Sequence, residues 1–291
     1  MKLIEQSYDI LTPISVGGEY ELMCIEVAGR TCYKSEDKIS ADGESAKRFC
    51  KMLIDRGHEA MLEHGPSLSV KFICSRGVSH EIVRHRLFSF AQESTRYCNY
   101  ASGKFDYDCT FILPPDKNWA EENITDTAPG FEWWNAMRLA EMSYDTLIFQ
   151  GGWSPQEARD VLPNALKTEI VVTGNYREWR HFFKLRCDKA AHPHIRLLAT
   201  ALLKELKEKL PIIFDDIFTE VAKEEEEVEE KEDDLKDLHK ELREKLISAA
   251  TKCRDESKDC YGCPYEGSSD CEDHFRNDTY AYLTIREDQN D

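Results

Sequence analysis

Negative charge is concentrated near the carboxyl-terminal end of this 291-residue chain, which limits where a hydrophobic core can form. Residues 221–291 contain 23 acidic and 11 basic residues and therefore carry −12 of the total formal charge of −18. Valine and leucine recur every seven residues between positions 221 and 242, which predicts a long acidic helix. That helix is either part of a coiled coil or a solvated helix packed along one narrow seam. We therefore predict a folded domain over 1–220 and an acidic helical extension over 221–291, whose role the sequence does not indicate.

Cysteines beyond the predicted acidic helix are candidate metal ligands. Cys260 and Cys263 form a CxxC turn, and Cys253 and Cys271 flank it. Four thiolates can hold a structural zinc or another thiolate-bound metal. An acidic segment of low hydrophobicity can also stay unfolded and carry thiols of no particular function. Both interpretations stay open from the sequence.

The composition excludes several broad classes of protein. A formal charge of −18 argues against binding to nucleic acids or anionic membranes, because both depend on a broad basic surface. No stretch approaches the roughly 18 consecutive apolar residues of a membrane span, and the initial MKLIEQSYDI lacks the apolar run of a signal peptide. We therefore predict a cytoplasmic protein whose eleven cysteines are mostly reduced and behave as small hydrophobic residues.

Periodicity and capping residues predict strands and helices within residues 1–220. Residues 67–74 alternate in polarity and residues 166–173 are rich in β-branched side chains, so both segments are predicted strands. A helix is predicted after the first strand and is expected to continue through Arg86. Further helices are predicted at about 20–30, 45–56 and 131–150, after the capping residues Ser154 and Asn175, and from Pro193 to the residue before Pro211.

The segment RHRLFSFAQESTRY, residues 84–97, carries the side chains that most clearly indicate a binding site. The arginine fork binds phosphate bidentately and stacks on planar rings, so Arg84, Arg86 and Arg96 suit a nucleotide. Positive charge on both sides of His85 favours the neutral form of its ring. On a helix, neighbouring side chains point about 100° apart. The three residues 84–86 are therefore expected to contact different parts of one large ligand, or two ligands.

Motifs of several other enzyme classes are absent from the sequence. It contains neither the GxGxxG turn of dinucleotide-binding folds nor the GxxxxGK[ST] loop of NTPases, and the GxSxG of α/β-hydrolases is missing. His58 and His64 are six residues apart, whereas two zinc ligands on one face of a helix lie four apart. We therefore predict no metal in residues 1–220. The remaining candidates are arginines near the ends of predicted elements, among them Arg159, Arg177 and Arg186.

The segment RHRLFSFAQESTRY resembles the RHRx7S signature of the flavin-dependent thymidylate synthases. GHEAMLEH, residues 57–64, and ARDVLPNALKTEIVVTGNYREWRHFFKLRCD, residues 158–188, resemble the other two blocks of that family in the same order. The likeness covers about residues 1–215. It implies an α+β fold with a central, mostly antiparallel sheet wrapped by helices.

The resemblance also implies an activity and its cofactors. Members of the family make dTMP from dUMP, with methylenetetrahydrofolate as carbon donor and NADPH as reductant through a tightly held FAD. They transfer hydride from the reduced flavin to the uracil ring, so the cysteines of this chain are no evidence for a nucleophile. The family assembles as a homotetramer in which each site is shared between subunits, and we expect the same here.

The resemblance assigns roles to individual residues of this chain. Arg186, expected to polarise the uracil ring, and Ser94 are the predicted catalytic residues. The predicted dUMP-binding residues are Glu81, Arg84, Gln92, Glu93, Ser94, Thr95, Arg96, Arg159 and Arg186. The predicted FAD-binding residues are His58, Arg84, His85, Arg86, Asn175, Arg177 and His181. Some relatives have glutamine in place of Glu81, glutamate in place of Gln92 and asparagine in place of His181.

Two other functions stay open from the sequence. The protein could bind flavin and nucleotide without turning over, or it could act through its acidic carboxyl-terminal helix and bind a nucleotide only as a regulator. Flavin absorbance of the purified protein is expected for a synthase and for a flavin-binding protein. It is not expected for a protein that acts through its acidic helix. Conversion of dUMP to dTMP separates a synthase from a binding protein.

Overall fold

The computed structural model describes residues 1–217 and is centred on a four-stranded antiparallel sheet. The strands of this part of the chain are β1 (Lys2–Ile4), β2 (Ser7–Ile10), β3 (Leu68–Ser75), β4 (Ser89–Gln92), β5 (Thr110–Ile112) and β6 (Lys167–Gly174). The central sheet has the order β2-β3-β6-β4, and β1 pairs with β5 in a separate parallel ladder. The predicted acidic helix and its neighbours Cys253, Cys260, Cys263 and Cys271 lie outside the described residues.

The two long strands of the sheet bury every second side chain on one face. Val70 of β3 lies opposite Val172 of β6, and Phe72 lies opposite Ile170, with all four side chains buried. The side chains between them are half-buried or polar on the other face. Because successive residues of a strand point to opposite faces, a sheet with one covered face produces this alternation. Both strands predicted from the sequence are confirmed.

Helices pack over the buried face of the sheet and over a second apolar cluster. They are α1 (Glu19–Tyr33), α2 (Glu44–Asp55), α3 (Arg76–Ile82), α4 (Ala128–Phe149), α5 (Pro155–Ala158), α6 (Tyr176–Arg186), α7 (Pro193–Lys209) and α8 (Pro211–Phe214). Apolar residues of α1, α2, α6 and α7 form one core with the buried face of β3 and β6. Helix α4 packs over a second cluster that includes Phe111, Tyr144 and Leu166. The predicted α+β fold with a mostly antiparallel sheet is confirmed.

Helix α3 ends earlier than the sequence predicts. It stops at Ile82, so residues 84–86 lie in the turn that follows. The chain turns there because Phe88 packs on α6, with its ring centroid 4.6 Å from that of Trp179. The Phe88 ring also lies over Gly174, where an added Cβ would stand 2.2 Å from it. Tertiary packing thus overrides the helical pattern, and the predicted arrangement of residues 84–86 along a helix is wrong.

Helix boundaries elsewhere follow the capping residues that the sequence shows. The backbone N–H of Ser154 donates to the carboxylate of Glu157 at 2.9 Å at the start of α5. Asn175 accepts the backbone N–H of Glu178 at 2.9 Å at the start of α6. A proline occupies the first turn of α7, where its missing N–H needs no partner. These three predicted helix starts are confirmed.

Candidate functional site

Helices α3 and α6 each begin directly where a central strand ends, which brings their last turns together. Ser75, the last residue of β3, accepts the backbone N–H of Val78 at 3.2 Å and so caps α3. Asn175 follows β6 and caps α6. Because β3 and β6 are antiparallel, with Ser75 opposite Lys167, the two helices leave opposite ends of the sheet. Their carboxyl-terminal turns are in contact, where Arg186 of α6 bonds to Glu81 of α3.

The contact between these helices is polar and is centred on one arginine. We call it the Arg186 cluster, and its members are Glu81, His85, Glu178, His181 and Arg186. Arg186 donates from Nη1 to Oε2 of Glu81 at 2.6 Å and from Nη2 to the backbone carbonyl of Glu81 at 2.9 Å. Its Nε donates to Nε2 of His85 at 3.0 Å. Three of the five guanidinium N–H groups are therefore used, and the other two make no hydrogen bond within residues 1–217.

His85 is the buried member of the RHR segment, with 5% of its surface exposed. Its ring packs against Phe88, His181 and Phe182, the last at a centroid distance of 5.0 Å. Burial lowers the pKa of His85 to about 4, helped by the positive charge of Arg186 and by His181. The ring is thus neutral at pH 7, as the sequence predicted. The main cause of the low pKa is burial, and not the flanking arginines on which that prediction was based.

The low pKa of His85 makes stability depend on pH. The unfolded ring takes up a proton below about pH 6.5 and the folded ring only below about 4, so the unfolded chain binds more protons between these values. Stability therefore falls as the pH drops through this window, by an amount on the order of 3 kcal/mol from this group. Burial raises the pKa of Glu178, and this group therefore makes the folded state more stable as the pH drops.

Urea unfolding of the wild type and of His85→Gln at several pH values tests this dependence. Glutamine can still accept from Arg186 but does not titrate. We expect the variant to lose less stability than the wild type between about pH 7 and about pH 4. Equal losses in the two proteins would contradict a depressed pKa for His85.

A second polar group lies after β4, and we call it the Arg159 cluster. Its members are Gln92, Glu93, Thr95 and Arg159. Arg159 donates from Nη1 to the hydroxyl oxygen of the buried Thr95 at 3.3 Å. The hydroxyl of Ser94 accepts the backbone N–H of Arg96 at 3.3 Å, and the Arg96 guanidinium lies 5.5 Å from the ring centre of Tyr97. Within residues 1–217, no hydrogen bond or ion pair joins this cluster to Arg186.

The other two members of the Arg159 cluster are held by residues of β6, of α3 and of the loop after β4. Gln92 donates from its amide nitrogen to the hydroxyl oxygens of Ser79 and Thr168, at 2.9 and 3.2 Å. The Glu93 carboxylate accepts from the Tyr100 hydroxyl at 2.9 Å and from Lys167 Nζ at 3.0 Å. These contacts fix the direction of the chain as it leaves β4, and they already occupy two of the side chains that the sequence assigned to dUMP.

Several predicted ligand-binding residues lie on the surface. Arg84 and Arg86 are exposed, and in the described part of the chain their guanidinium groups make no hydrogen bond or ion pair. Arg177 pairs with Glu63 at 2.5 Å on the surface. His58 is exposed at the start of the short helical segment Glu59–His64. The turn after α3 thus separates the three RHR side chains, with His85 directed inwards and the two arginines directed outwards.

The sequence gave no reason to single out two buried charged residues of α6. Glu178 is 5% exposed, and its carboxylate Oε1 lies 3.7 Å from Nδ1 of His85. Arg180 is 1% exposed and donates to the carboxylates of Glu59 and Asp216. A usable signal was present, since Glu178 and Arg186 are eight residues apart and therefore lie on one face of the helix. Opposite charges at this spacing, with Phe182 between them on the same face, indicate a polar contact at that face.

A cavity of about 410 Å³ adjoins the Arg186 cluster. Its polar and aromatic lining includes His80, Glu81, Trp133, Asn164, His192 and His194. Glu81 belongs to both the cavity wall and the Arg186 cluster, so a ligand in the cavity would lie beside the carboxylate that holds Arg186. The ring of His194 is in turn held by Asp116 at 2.9 Å.

Four of the seven cysteines in the described residues are buried. Burial raises the pKa of the thiols of Cys50, Cys74, Cys109 and Cys187 to about 12, so they are protonated at pH 7. Between residues 1 and 217, no group of three or more His, Cys, Asp or Glu side chains is arranged to hold a metal ion. The helices in that range also include none long and apolar enough to cross a membrane.

Comparison with known proteins places this chain in a family. The family model described as thymidylate synthase complementing protein matches residues 20–212. A flavin-dependent thymidylate synthase of Corynebacterium aurimucosum is 35% identical over 202 residues, which are 66% of this chain and 78% of that protein. The enzyme of the same name from Mycolicibacterium vanbaalenii is 36% identical over 217 residues, covering 70% of this chain and 82% of the relative.

A solved structure has the same fold at lower sequence identity. It is PolB, a UMP/dUMP methylase from Streptomyces cacaoi bound with 5-Br dUMP. The TM-score is 0.60 and the identity 19%, over 74% of this chain and 96% of that one. At this level of identity the likeness concerns the fold.

Proposed function

The chain belongs to the family of the flavin-dependent thymidylate synthases, and on that premise we propose that it converts dUMP to dTMP by reductive methylation. It is an enzyme of the methyltransferase type that depends on a flavin. We further propose FAD as that flavin, NADPH as the reductant and methylenetetrahydrofolate as the carbon donor. The observation that carries the proposal is the Arg186 guanidinium, fixed by His85 and Glu81 with two N–H groups left for a ligand.

Arg186 suits the role of stabilising negative charge on the uracil ring. Its guanidinium is held in one orientation by three hydrogen bonds before any substrate arrives. Preorganised donors of this kind stabilise charge that develops in a transition state more than they stabilise the ground state. A neutral His85 is required for this arrangement, because a protonated ring would lose the lone pair that accepts from Arg186.

The residues around the RHR turn fit a flavin nucleotide. Arg84 and Arg86 present exposed guanidinium groups, which suit the diphosphate of FAD, and His181 presents an exposed ring next to His85. His58, Asn175 and Arg177 lie on the neighbouring elements. When bound, the flavin supplies the reducing equivalents of the reaction, while the protein supplies binding, orientation and electrostatics.

The Arg159 cluster suits the phosphate of dUMP. Arg159 offers a guanidinium group and Thr95 a hydroxyl group, and Ser94 and Arg96, which flank Thr95 in the chain, add a second hydroxyl and a second guanidinium. Within residues 1–217 the cluster makes no hydrogen bond or ion pair with Arg186, so we propose that dUMP bridges residues of two subunits of a homotetramer. Leu87 and Tyr97 lie beside the predicted site residues and are 78% and 79% exposed, which favours a partner subunit there.

An activity assay of the purified protein tests the proposed function. We expect a yellow protein that forms dTMP from dUMP only when both NADPH and methylenetetrahydrofolate are present. Omission of either co-substrate is the matched control. A yellow protein that binds dUMP without forming dTMP would favour the binding protein, and a colourless one would favour the interaction protein. Sedimentation of the same preparation as a fully active monomer would contradict shared sites.

A further inference from the structure

Glu178, Phe182 and Arg186 form a stripe along one face of α6, at positions i, i+4 and i+8. The His85 ring lies across this stripe. It contacts the Phe182 ring at a centroid distance of 5.0 Å, with Arg186 Nε at 3.0 Å from one ring nitrogen and Glu178 Oε1 at 3.7 Å from the other. A single imidazole therefore separates a carboxylate from a guanidinium, and both of its nitrogens face a charged group of the same helix.

The direction of the arginine contact shows which nitrogen of His85 carries the proton in this structure. Arginine Nε bears a hydrogen and can only donate, so Nε2 of His85 must be the acceptor. The proton of the neutral ring is then on Nδ1 and faces Glu178. The other tautomer would place two N–H groups against each other at Nε2, and would direct a lone pair at the carboxylate. Both contacts would be repulsive.

Glu178 lies in the first turn of α6, where a carboxylate interacts favourably with the helix dipole, but that role does not require it to face His85. Its carboxylate accepts no hydrogen bond from any residue between 1 and 217, although only 6% of its side chain is exposed. Removing a carboxylate largely from water is unfavourable, so a charge kept in this position calls for an explanation. Burial raises the pKa of Glu178, and the nearby His181 and Arg177 act against this effect.

We propose that Glu178 is a positioning residue, which holds His85 in the Nδ1–H tautomer and through it fixes the orientation of Arg186. The proposal deepens the function proposed above, because Arg186 is the group that would act on the uracil ring. Glu178 touches neither substrate nor flavin in this scheme. It acts only by selecting which ring nitrogen of His85 accepts from Arg186, as a carboxylate behind a histidine commonly does.

Nitrogen NMR of the full-length protein labelled with [15N]histidine tests the tautomer directly, without substrate or turnover. The His85 signals are assigned by their loss in His85→Gln. In the wild type we expect the pattern of the Nδ1–H tautomer at pH 7. In Glu178→Gln we expect a shift towards the Nε2–H pattern, because the amide can donate to Nδ1 as readily as it can accept from it. Unchanged signals in Glu178→Gln would overturn the proposal.

Glu26→Gln is the matched control for loss of a buried carboxylate. Glu26 is 1% exposed on α1 and accepts hydrogen bonds from Arg30 at 2.9 Å and Ser45 at 2.8 Å. This substitution should lower stability without altering the His85 signals. Glu178→Gln removes a buried charge that has no hydrogen bond, so we expect no comparable loss of stability. A change of His85 tautomer in both variants would mean that the effect is not specific to Glu178, and would also overturn the proposal.

A double-mutant cycle shows whether Glu178 acts through His85. Glu178→Gln alone should reduce kcat/KM for dUMP by about tenfold or more, as is common when an orienting partner is lost. In the His85→Gln background, where no imidazole tautomer exists, the same substitution should have no further effect. Equal losses in both backgrounds would overturn the proposal. If the wild type forms no dTMP, the proposed function fails, and the NMR result alone then decides the role of Glu178.

Discussion

Replacement of Arg186 with alanine is expected to lower kcat/KM for dUMP by about 10²–10³-fold, the usual loss when one preorganised donor to a developing negative charge is removed. The truncated side chain leaves no donor for the uracil ring and frees Glu81, whose carboxylate would then repel negative charge at the same place. Steady-state assays with saturating NADPH and methylenetetrahydrofolate measure the loss. Flavin absorbance shows in the same samples whether the cofactor is retained.

Two further variants separate a specific role of Arg186 from a general one. Arg186→Lys keeps the positive charge but cannot donate at once to His85 and Glu81 in the geometry of a planar fork, so most of the loss should persist. Arg48→Ala removes an exposed arginine of α2 and should leave kcat/KM unchanged. Full activity of Arg186→Ala would show that this guanidinium does not act on the substrate.

Replacement of Arg180 with alanine should have the largest effect on stability. Arg180 is 1% exposed and donates to Glu59, to Asp216 and to the backbone carbonyl of Ile213. Removing one partner of a buried ion pair leaves the others uncompensated, at a cost of about 3–5 kcal/mol. Because Glu59 and Asp216 keep some access to water, we expect the free energy of unfolding to fall by about 3 kcal/mol, the lower end of this range. That corresponds to a decrease of roughly 6–12 °C in Tm.

Arg177→Ala, on the same helix, is the control for the Arg180 variant. Arg177 forms an ion pair with Glu63 on the surface, and such exposed pairs contribute little to folding. Its removal should leave the urea midpoint within experimental error. Thermal and urea unfolding of the two variants, measured side by side, give the comparison. A loss for Arg180→Ala no larger than that for Arg177→Ala would mean that the buried network does not stabilise the fold.

The sequence predicted those elements whose pattern is local. Strands β3 and β6 are eight residues long and bury one face, so their period of two is visible in the chain. Helices α5, α6 and α7 begin at capping residues or prolines that are also visible. Strands β1, β2, β4 and β5 have only three or four residues, too few to show a period, and their existence depends on pairing with distant segments.

The sequence predicted which residues belong to the site, but not which of them bond to each other. The family resemblance assigned Arg186, His85 and Glu81 to the site, yet the hydrogen bonds among them join positions about 100 residues apart. No local pattern specifies such pairs, since they arise only when α3 and α6 meet over the sheet. The end of α3 was mispredicted for the same reason, because it depends on the contact of Phe88 with Trp179 and Gly174. The roles assigned to individual residues stay predictions.

The direct junctions of β3 with α3 and of β6 with α6 also determine how the site can move. Ser75 ends β3 and Asn175 directly follows β6, and each caps the next helix, so no loop separates strand from helix at either junction. The backbone of both helices is therefore expected to move together with the sheet. Arg84 and Arg86 lie on the turn that leaves α3 and point to solvent, so their side chains can reorient towards a ligand while His85 stays packed on α6.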